Sequence, residues 1–381
     1  MLVARKTLAA FVSLFVSYGV AFGGLKEDAK AIHVSGGEDH TLIVTANNWV
    51  WVCGANGDYP YNSYYGVLGT GSNSFSLDVN SPIRVHDGDM GTQSDRLEGI
   101  NDIDAGWRHS LALDVNGFVW SWGWNSEGQL GDGTPYARTT PVKVRGPNDA
   151  GYLQYIDSIS AGRSGRHSLA VDANGYAYAW GYNKFGQCGN GESGAGEREL
   201  TPVYVHQGAQ AGDPNDANNP LEHIVDICAG SDQSIAVEKD DPSDPNFSGC
   251  VYTWGTNRWG DDPWDVGIVS LGCGLLGTAS DVNFSDTPVK VFAGAQHPND
   301  PNQPDLNHIV AVAAGWDHCM ALENDDPWDP NLNGRVYTWG NNGPGWGGGA
   351  PVGWERSVGA KKIFKIPKFW LDMELILRFC A

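Results

Sequence analysis

Four histidines, His40, His109, His167 and His318, stand at one place in a recurring word, and Gln233 holds that place in a further copy. Imidazoles collected around a ring are raw material for a metal site or for proton transfer. The exchange for Gln233 favours a hydrogen-bonding part over a catalytic one, most simply one that satisfies the backbone of its own repeat. Trp122, Trp180, Trp254 and Trp339 recur in the same way, each followed by a glycine. A ring of that size buries ~150–250 Å² of surface, so these four are read as filling between neighbouring repeats. The glycines after them permit close backbone approach or a positive φ.

Two other residue classes remain. The acidic loops DDPSDPN (240–246), DPWD (262–265) and DDPWDPN (325–331) gather carboxylates of the kind that bind Ca²⁺. They lack the DxDxDG order of a full calcium loop, and Asp-Pro-Asn is also ordinary turn chemistry. No cofactor is expected, with Ca²⁺ the one ion that these loops bring into consideration. Aromatic residues at or beside non-repeat loops are the second class: Tyr59, Tyr61, Tyr64, Trp124, Trp259, Trp264, Trp328 and Trp346. Large rings on loops are what binding surfaces use as anchors, so these are the candidate ligand-binding residues. No nucleophile elbow, phosphate loop, dinucleotide fingerprint or zincin helix occurs, and no catalytic residue is expected. Seven cysteines include no CxxC pair, which removes the usual zinc spacing, and several replace apolar repeat residues.

The elements that position these residues follow from the words themselves. An opening word reads GGEDHTLIV at Gly36, AGWRHSLAL at Ala105, AGRSGRHSLAV at Ala161, AGSDQSIAV at Ala229 and AGWDHCMAL at Ala314. An alternating apolar run precedes each copy, as in INDID and IVAVA, and a strand ending in a WG-like word follows, as in VWSWGWN and VYTWGTN. Alternation broken by turns such as DVNG is the mark of β-hairpins. A third word, GQLG at Gly128, becomes GQCG at Gly186, YGVLG near Gly66 and GLLG at Gly274. The fourth word, TPVKV or its variants, carries Pro82, Pro141, Pro202 and Pro288 and is expected to open an edge strand, where no ladder N–H is lost. Four strands per copy is the count of one propeller blade.

These words, in this order, resemble the regulator-of-chromosome-condensation repeat family over about residues 31 to 352, in the manner of a secreted bacterial-type member. The resemblance implies an all-β fold, a β-propeller of four-stranded blades, with five repeats visible (about 31–85, 100–144, 155–205, 223–291 and 308–356). Well-known members carry seven, so the count leaves ring closure open. Residues 1–24 read as a signal peptide, with Arg5 and Lys6 before the apolar run Leu8 to Phe22. The propeller then occupies 25–356, and 357–381 form a divergent basic and apolar tail. Within that tail, KKIFKI is a candidate for the fifth blade's missing fourth strand, and the last dozen residues read as an amphipathic or frayed helix.

The balance of 24 Lys+Arg against 45 Asp+Glu argues against a nucleic-acid partner, which would need clustered cations. The expected localisation is secreted, periplasmic or cell-envelope, with no stable membrane insertion after signal cleavage. The function expected is noncatalytic binding of another macromolecule, most simply a protein or a cell-surface component, through the aromatic and acidic loops. Two alternatives stand beside it: guanine-nucleotide exchange on a small GTPase, which the resemblance implies, and a propeller-based extracellular enzyme acting on polysaccharide.

Overall fold

A computed structural model describes residues 30–58, 63–71, 79–91, 95–162, 165–208, 219–240, 249–257, 276–278, 284–292, 305–316, 318–324, 334–340 and the strand backbone at 361–365. The first sheet holds β1 (Ala31–Gly36), β2 (His40–Thr45) and β3 (Val50–Gly54). The two-residue strands β4 (Gly57–Asp58) and β5 (Ser63–Tyr64) form a side hairpin, and β6 (Val79–Arg84) completes the sheet. The second sheet holds β7 (Ile100–Ala105), β8 (His109–Asp114), β9 (Val119–Gly123) and β10 (Arg138–Lys143). The third is β11 (Ile156–Ala161), β12 (His167–Asp172), β13 (Ala177–Tyr182) and β14 (Arg198–Tyr204). The fourth is β15 (Ile224–Ala229), β16 (Gln233–Glu238), β17 (Val251–Thr256) and β18 (Phe284–Lys290). The fifth is β19 (Ile309–Ala314), β20 (His318–Glu323), β21 (Arg335–Gly340) and β22 (Lys361–Lys365). Each is an antiparallel meander in chain order, and KKIFK supplies the fourth strand of the last.

Hydrophobic cores lie between sheets rather than within one. Leu42 and Val52 of the first sheet meet Ile103, Ala112 and Trp122 of the second, and corresponding sets join the second to the third, the third to the fourth and the fourth to the fifth. A second strand is therefore covered on both faces, and all six residues of β8, β12 and β16 are buried. This is why HSLAL and QSIAV are apolar runs and not clean alternations. Successive first strands pack on one another, β1 on β7, β7 on β11, β11 on β15 and β15 on β19. Among the described residues, no comparable packing joins the fifth sheet to the first.

Several words of the sequence are now explained by contacts. Asp114 of the DVNG turn accepts from the backbone N–H of Asn116 (2.8 Å) and Phe118 (3.0 Å) and from the indole of Trp120 (3.0 Å). Asp172 repeats this with Asn174 and Tyr176 and accepts from the hydroxyl of Tyr178. In the first four repeats the asparagine after the WG word is buried and accepts from the third word: Asn56 from Leu68 N–H, Asn125 from Leu130, Asn183 from Cys188 and Asn257 from Leu276. The prolines of the fourth word fall inside their edge strands, not at the first residue. In each of these four sheets the outer strand slips register against the third close to its proline, and such an irregularity tolerates a missing ladder donor.

Candidate functional site

In an antiparallel meander the turn from the first strand to the second and the loop from the third to the fourth leave the same edge of the sheet. Those connections from the first three sheets bring together a cluster of rings and guanidinium groups. Trp107 and Arg108 come from the β7–β8 turn, Trp124 from the end of β9, Tyr65 from the loop after β5, Arg166 from the β11–β12 turn and Tyr182 from the end of β13.

Arg108 lies with its guanidinium carbon 4.2 Å from the Trp107 ring centre and 5.2 Å from that of Tyr65. Arg166 lies 4.5 Å from the Tyr182 ring and 5.8 Å from Trp107. Ring and cation therefore alternate from Tyr65 through Arg108, Trp107 and Arg166 to Tyr182, across three sheets. Trp124 closes the group, edge-on to Trp107 at 5.3 Å and tilted against Tyr65 at 5.7 Å. Carboxylates anchor both cations: Arg108 Nε donates to Glu38 Oε2 at 3.3 Å, and Arg166 stands 3.8 Å from Glu127. Burial holds the Glu38 carboxyl above its ordinary value, against the pull of Arg108. The rings are half-buried, which fixes their geometry and leaves them reachable.

Beneath this edge runs the repeated joint between sheets. His40 Nε2 meets Ser110 Oγ of the second sheet at 2.9 Å, His109 meets Ser168 of the third at 3.0 Å, and His167 meets Ser234 of the fourth at 3.0 Å. The partner is thus a side chain of the next sheet, not the backbone of the histidine's own repeat. Ser168 and Ser234 spend their single hydroxyl proton on the carbonyls of Gln129 (2.9 Å) and Gln187 (2.8 Å), so each ring donates from Nε2. The same carbonyls accept from the indoles of Trp180 (2.8 Å) and Trp254 (2.9 Å), while Trp122 donates to the equivalent Val67 carbonyl. Burial lowers the imidazole pKa to about 4 at His40 and to about 3 at His109 and His167, so these rings are neutral hydrogen-bonding parts. The second glycine of the third word is required here. At Gly189, φ is +67° and a Cβ would come 2.8 Å from the Trp254 Nε1.

The joint between the fourth and fifth sheets differs. Gln233 Nε2 donates to the carbonyls of Gly315 (2.9 Å) and Trp316 (3.3 Å), and the serine position of the fifth repeat is the buried Cys319. His318 is only half-buried, and Trp339 is buried against Gly277 as its counterparts are against theirs.

Of the aromatics expected to bind ligand, Trp124 belongs to the cluster. Tyr64 lies in β5, with its side chain outside the described set, and Tyr59, Tyr61, Trp259, Trp264, Trp328 and Trp346 lie outside the described residues. So do most of the acidic loops, although Asp240 is seen 3.3 Å from His308 Nδ1. Among the described residues no group of three or more His, Cys, Asp or Glu side chains could hold a metal ion. Among the described residues, no disulfide joins Cys53, Cys188, Cys228, Cys250 and Cys319 to one another. Sequence reasoning passed over Trp107, Arg108, Arg166 and Tyr182, because the first three lie inside or beside a repeat word. The signal was the slot between glycine and histidine, which varies as ED, WR, SD and WD while the residues around it recur.

Sequence profiles of the regulator of chromosome condensation (RCC1) repeat match residues 116–171 and 174–237, and a second profile of the same repeat matches 100–129 and 156–187. The chain is 25% identical over 345 residues to the E3 ubiquitin-protein ligase HERC2 of Homo sapiens, a match covering 83% of this chain and 6% of that protein. It is 28% identical over 316 residues to the secretion-regulating guanine nucleotide exchange factor of Bos taurus, covering 81% of this chain and 51% of that one. It thus spans a small part of the first relative and about half of the second. Yeast RCC1 (Prp20), solved bound to Kap60, superimposes with a TM-score of 0.57 at 21% identity, covering 91% of this chain and 66% of that one. The profiles fall on sheets whose joints account for the histidine, tryptophan and GQLG words, so residues 100–237 carry regulator of chromosome condensation (RCC1) repeats.

Proposed function

We propose that this chain is an exported, noncatalytic propeller that binds another protein through the loop edge of its first three blades. The observation that carries the reading is the alternating stack of Tyr65, Arg108, Trp107, Arg166 and Tyr182, with Trp124 against it. No repeat rule requires these residues: the slot that holds Trp107 and Arg108 holds Glu38 and Asp39 in the first blade and Ser231 and Asp232 in the fourth. Trp, Tyr and Arg are the residue types that concentrate binding energy at protein interfaces, and pre-ordered side chains lose less entropy on docking. The His–Ser and Trp–carbonyl pairs are used up in holding blades together, which leaves the loop edge as the variable part. Export is supported by the basic start and apolar run of residues 5–22.

The test is a display selection against the wild-type chain, with binders re-measured on Trp107→Ser/Trp124→Ser. A loss of at least ~10-fold in affinity is the expected result, equivalent to about 1.4 kcal/mol. Binders that hold the folded double variant as tightly as the wild type would overturn the reading. N-terminal sequencing of protein from culture fluid tests export, with a start within a few residues of Gly24 expected. Guanine-nucleotide exchange is the second reading, favoured by the 28% identical relative that bears that name. It requires faster nucleotide release from a small GTPase, and the Trp107→Ser/Trp124→Ser variant would separate it from binding alone.

A further inference from the structure

Trp107 and Trp316 occupy the same slot of the opening word, GWRH in the second repeat and GWDH in the fifth. Their surroundings are opposite. Trp107 is half-buried, with a guanidinium at 4.2 Å and another at 5.8 Å from its ring. Trp316 is 60% exposed, behind only Tyr136 and Tyr155 among the described large apolar side chains. The residue after it is Asp317 where the second repeat has Arg108, and the preceding blade presents Asp232 in the corresponding place. That blade reaches the Trp316 loop directly, through Gln233 Nε2 and the Gly315 and Trp316 carbonyls. At one position, then, a tryptophan lies against two guanidinium groups, and at the equivalent position a tryptophan is 60% exposed, with aspartate next in sequence and Asp232 beside the Gln233 that bonds its carbonyl.

We infer that the Trp316 loop is a docking site for an arginine or lysine side chain carried on a basic segment of a partner protein. The incoming cation takes the place over the indole that Arg108 holds over Trp107, and Asp232 of the preceding blade, one residue on from the position that Glu38 holds and itself accepting from Gln187 Nε2 at 3.2 Å, supplies the carboxylate. The choice of a cation over an apolar or anionic occupant follows from charge. The formal net charge of −21 repels polyanions and draws basic segments toward this acidic edge. The site lies on the fourth and fifth blades and does not depend on the Trp107 cluster being an interface.

Fluorescence anisotropy of a short labelled Gly–Arg repeat peptide tests this on the full chain, with the same peptide carrying citrulline for arginine as the neutral isostere. Wild type is expected to bind the arginine peptide at least ~10-fold more tightly than the citrulline one, and Trp316→Leu to lose most of that difference. Asp232→Asn should weaken binding and flatten its salt dependence. Trp316 is exposed, so its replacement should leave the urea midpoint in place, and Trp316→Tyr, which keeps a π face, should retain intermediate affinity. Tyr136→Ser, 70% exposed on another loop, serves as the control. Unchanged binding by Trp316→Leu would reduce the effect to general attraction by an acidic protein and overturn the site. Equal binding of the citrulline peptide, or competition by a single-stranded oligonucleotide at the same indole, would overturn it as well.

Discussion

The joint between the third and fourth blades and the joint between the fourth and fifth solve one problem in two ways. In the former, His167 donates to Ser234, Ser234 to the Gln187 carbonyl, and Trp254 to that same carbonyl. In the latter, Gln233 passes over the altered Cys319 position and donates to two backbone carbonyls of the next blade's opening turn. A thiol is a weak acceptor compared with a hydroxyl, so the two changes belong together. The comparison teaches that this position demands a neutral donor reaching the next blade, and that an imidazole is only one way to provide it. It also separates the loop edge into two halves, cations threaded between rings on blades two and three, and a tryptophan 60% exposed on the fifth blade.

Removing a ring from a regular joint tests how much each depends on its tryptophan. Trp180→Ala takes out a fully buried indole and its bond to the Gln129 carbonyl, with an expected loss of about 3–5 kcal/mol in urea unfolding. A loss below ~1 kcal/mol would show that the joint is not the unit of cohesion. Acid separates the two kinds of joint next. The imidazole pKa of His40, His109 and His167 falls on folding from 6.5 to about 4, 3 and 3, so the unfolded chain binds protons first as pH drops. Stability from these groups is full above pH ~6.5 and declines below it, by up to ~1.4 kcal/mol per pH unit for each histidine. His109→Gln should flatten that slope by one proton, measured as urea midpoints from neutral pH down to the onset of acid unfolding. An unchanged slope would mean that the ring is not held neutral. The smallest effect is the coupling at the divergent joint. Gln233→His and Cys319→Ser should each destabilise the protein alone and partly restore one another together, with an interaction energy of about 0.5–3 kcal/mol. Strict additivity would break the claim that the two positions answer each other.

Much of the fold was legible because its causes are local and repeated. Asp114 and Asp172 close their turns within four residues, and the alternation of β1 or β7 needs only one strand and its neighbour. Recurrence added what one copy lacked, since a tryptophan seen four times before glycine points to a shared packing role. The fourth-word prolines were placed less well, as their register slip depends on the strand beside them. The histidine's partner was out of reach for the same reason: Ser234 is distant in sequence from His167 and belongs to another blade.

The sequence alone determined the repeat, the four strands in each copy, the turn chemistry and the acidic character of the chain, because these follow from residue order and short-range sterics. Tertiary structure decided which side chains meet across blades. It stacked Arg108 and Arg166 between rings from three separate blades, gave each histidine a serine in the next, and left Trp316 exposed while burying Trp254. Those outcomes depend on how neighbouring sheets pack face to face, and residues that resemble each other in sequence acquire different roles once their neighbours differ.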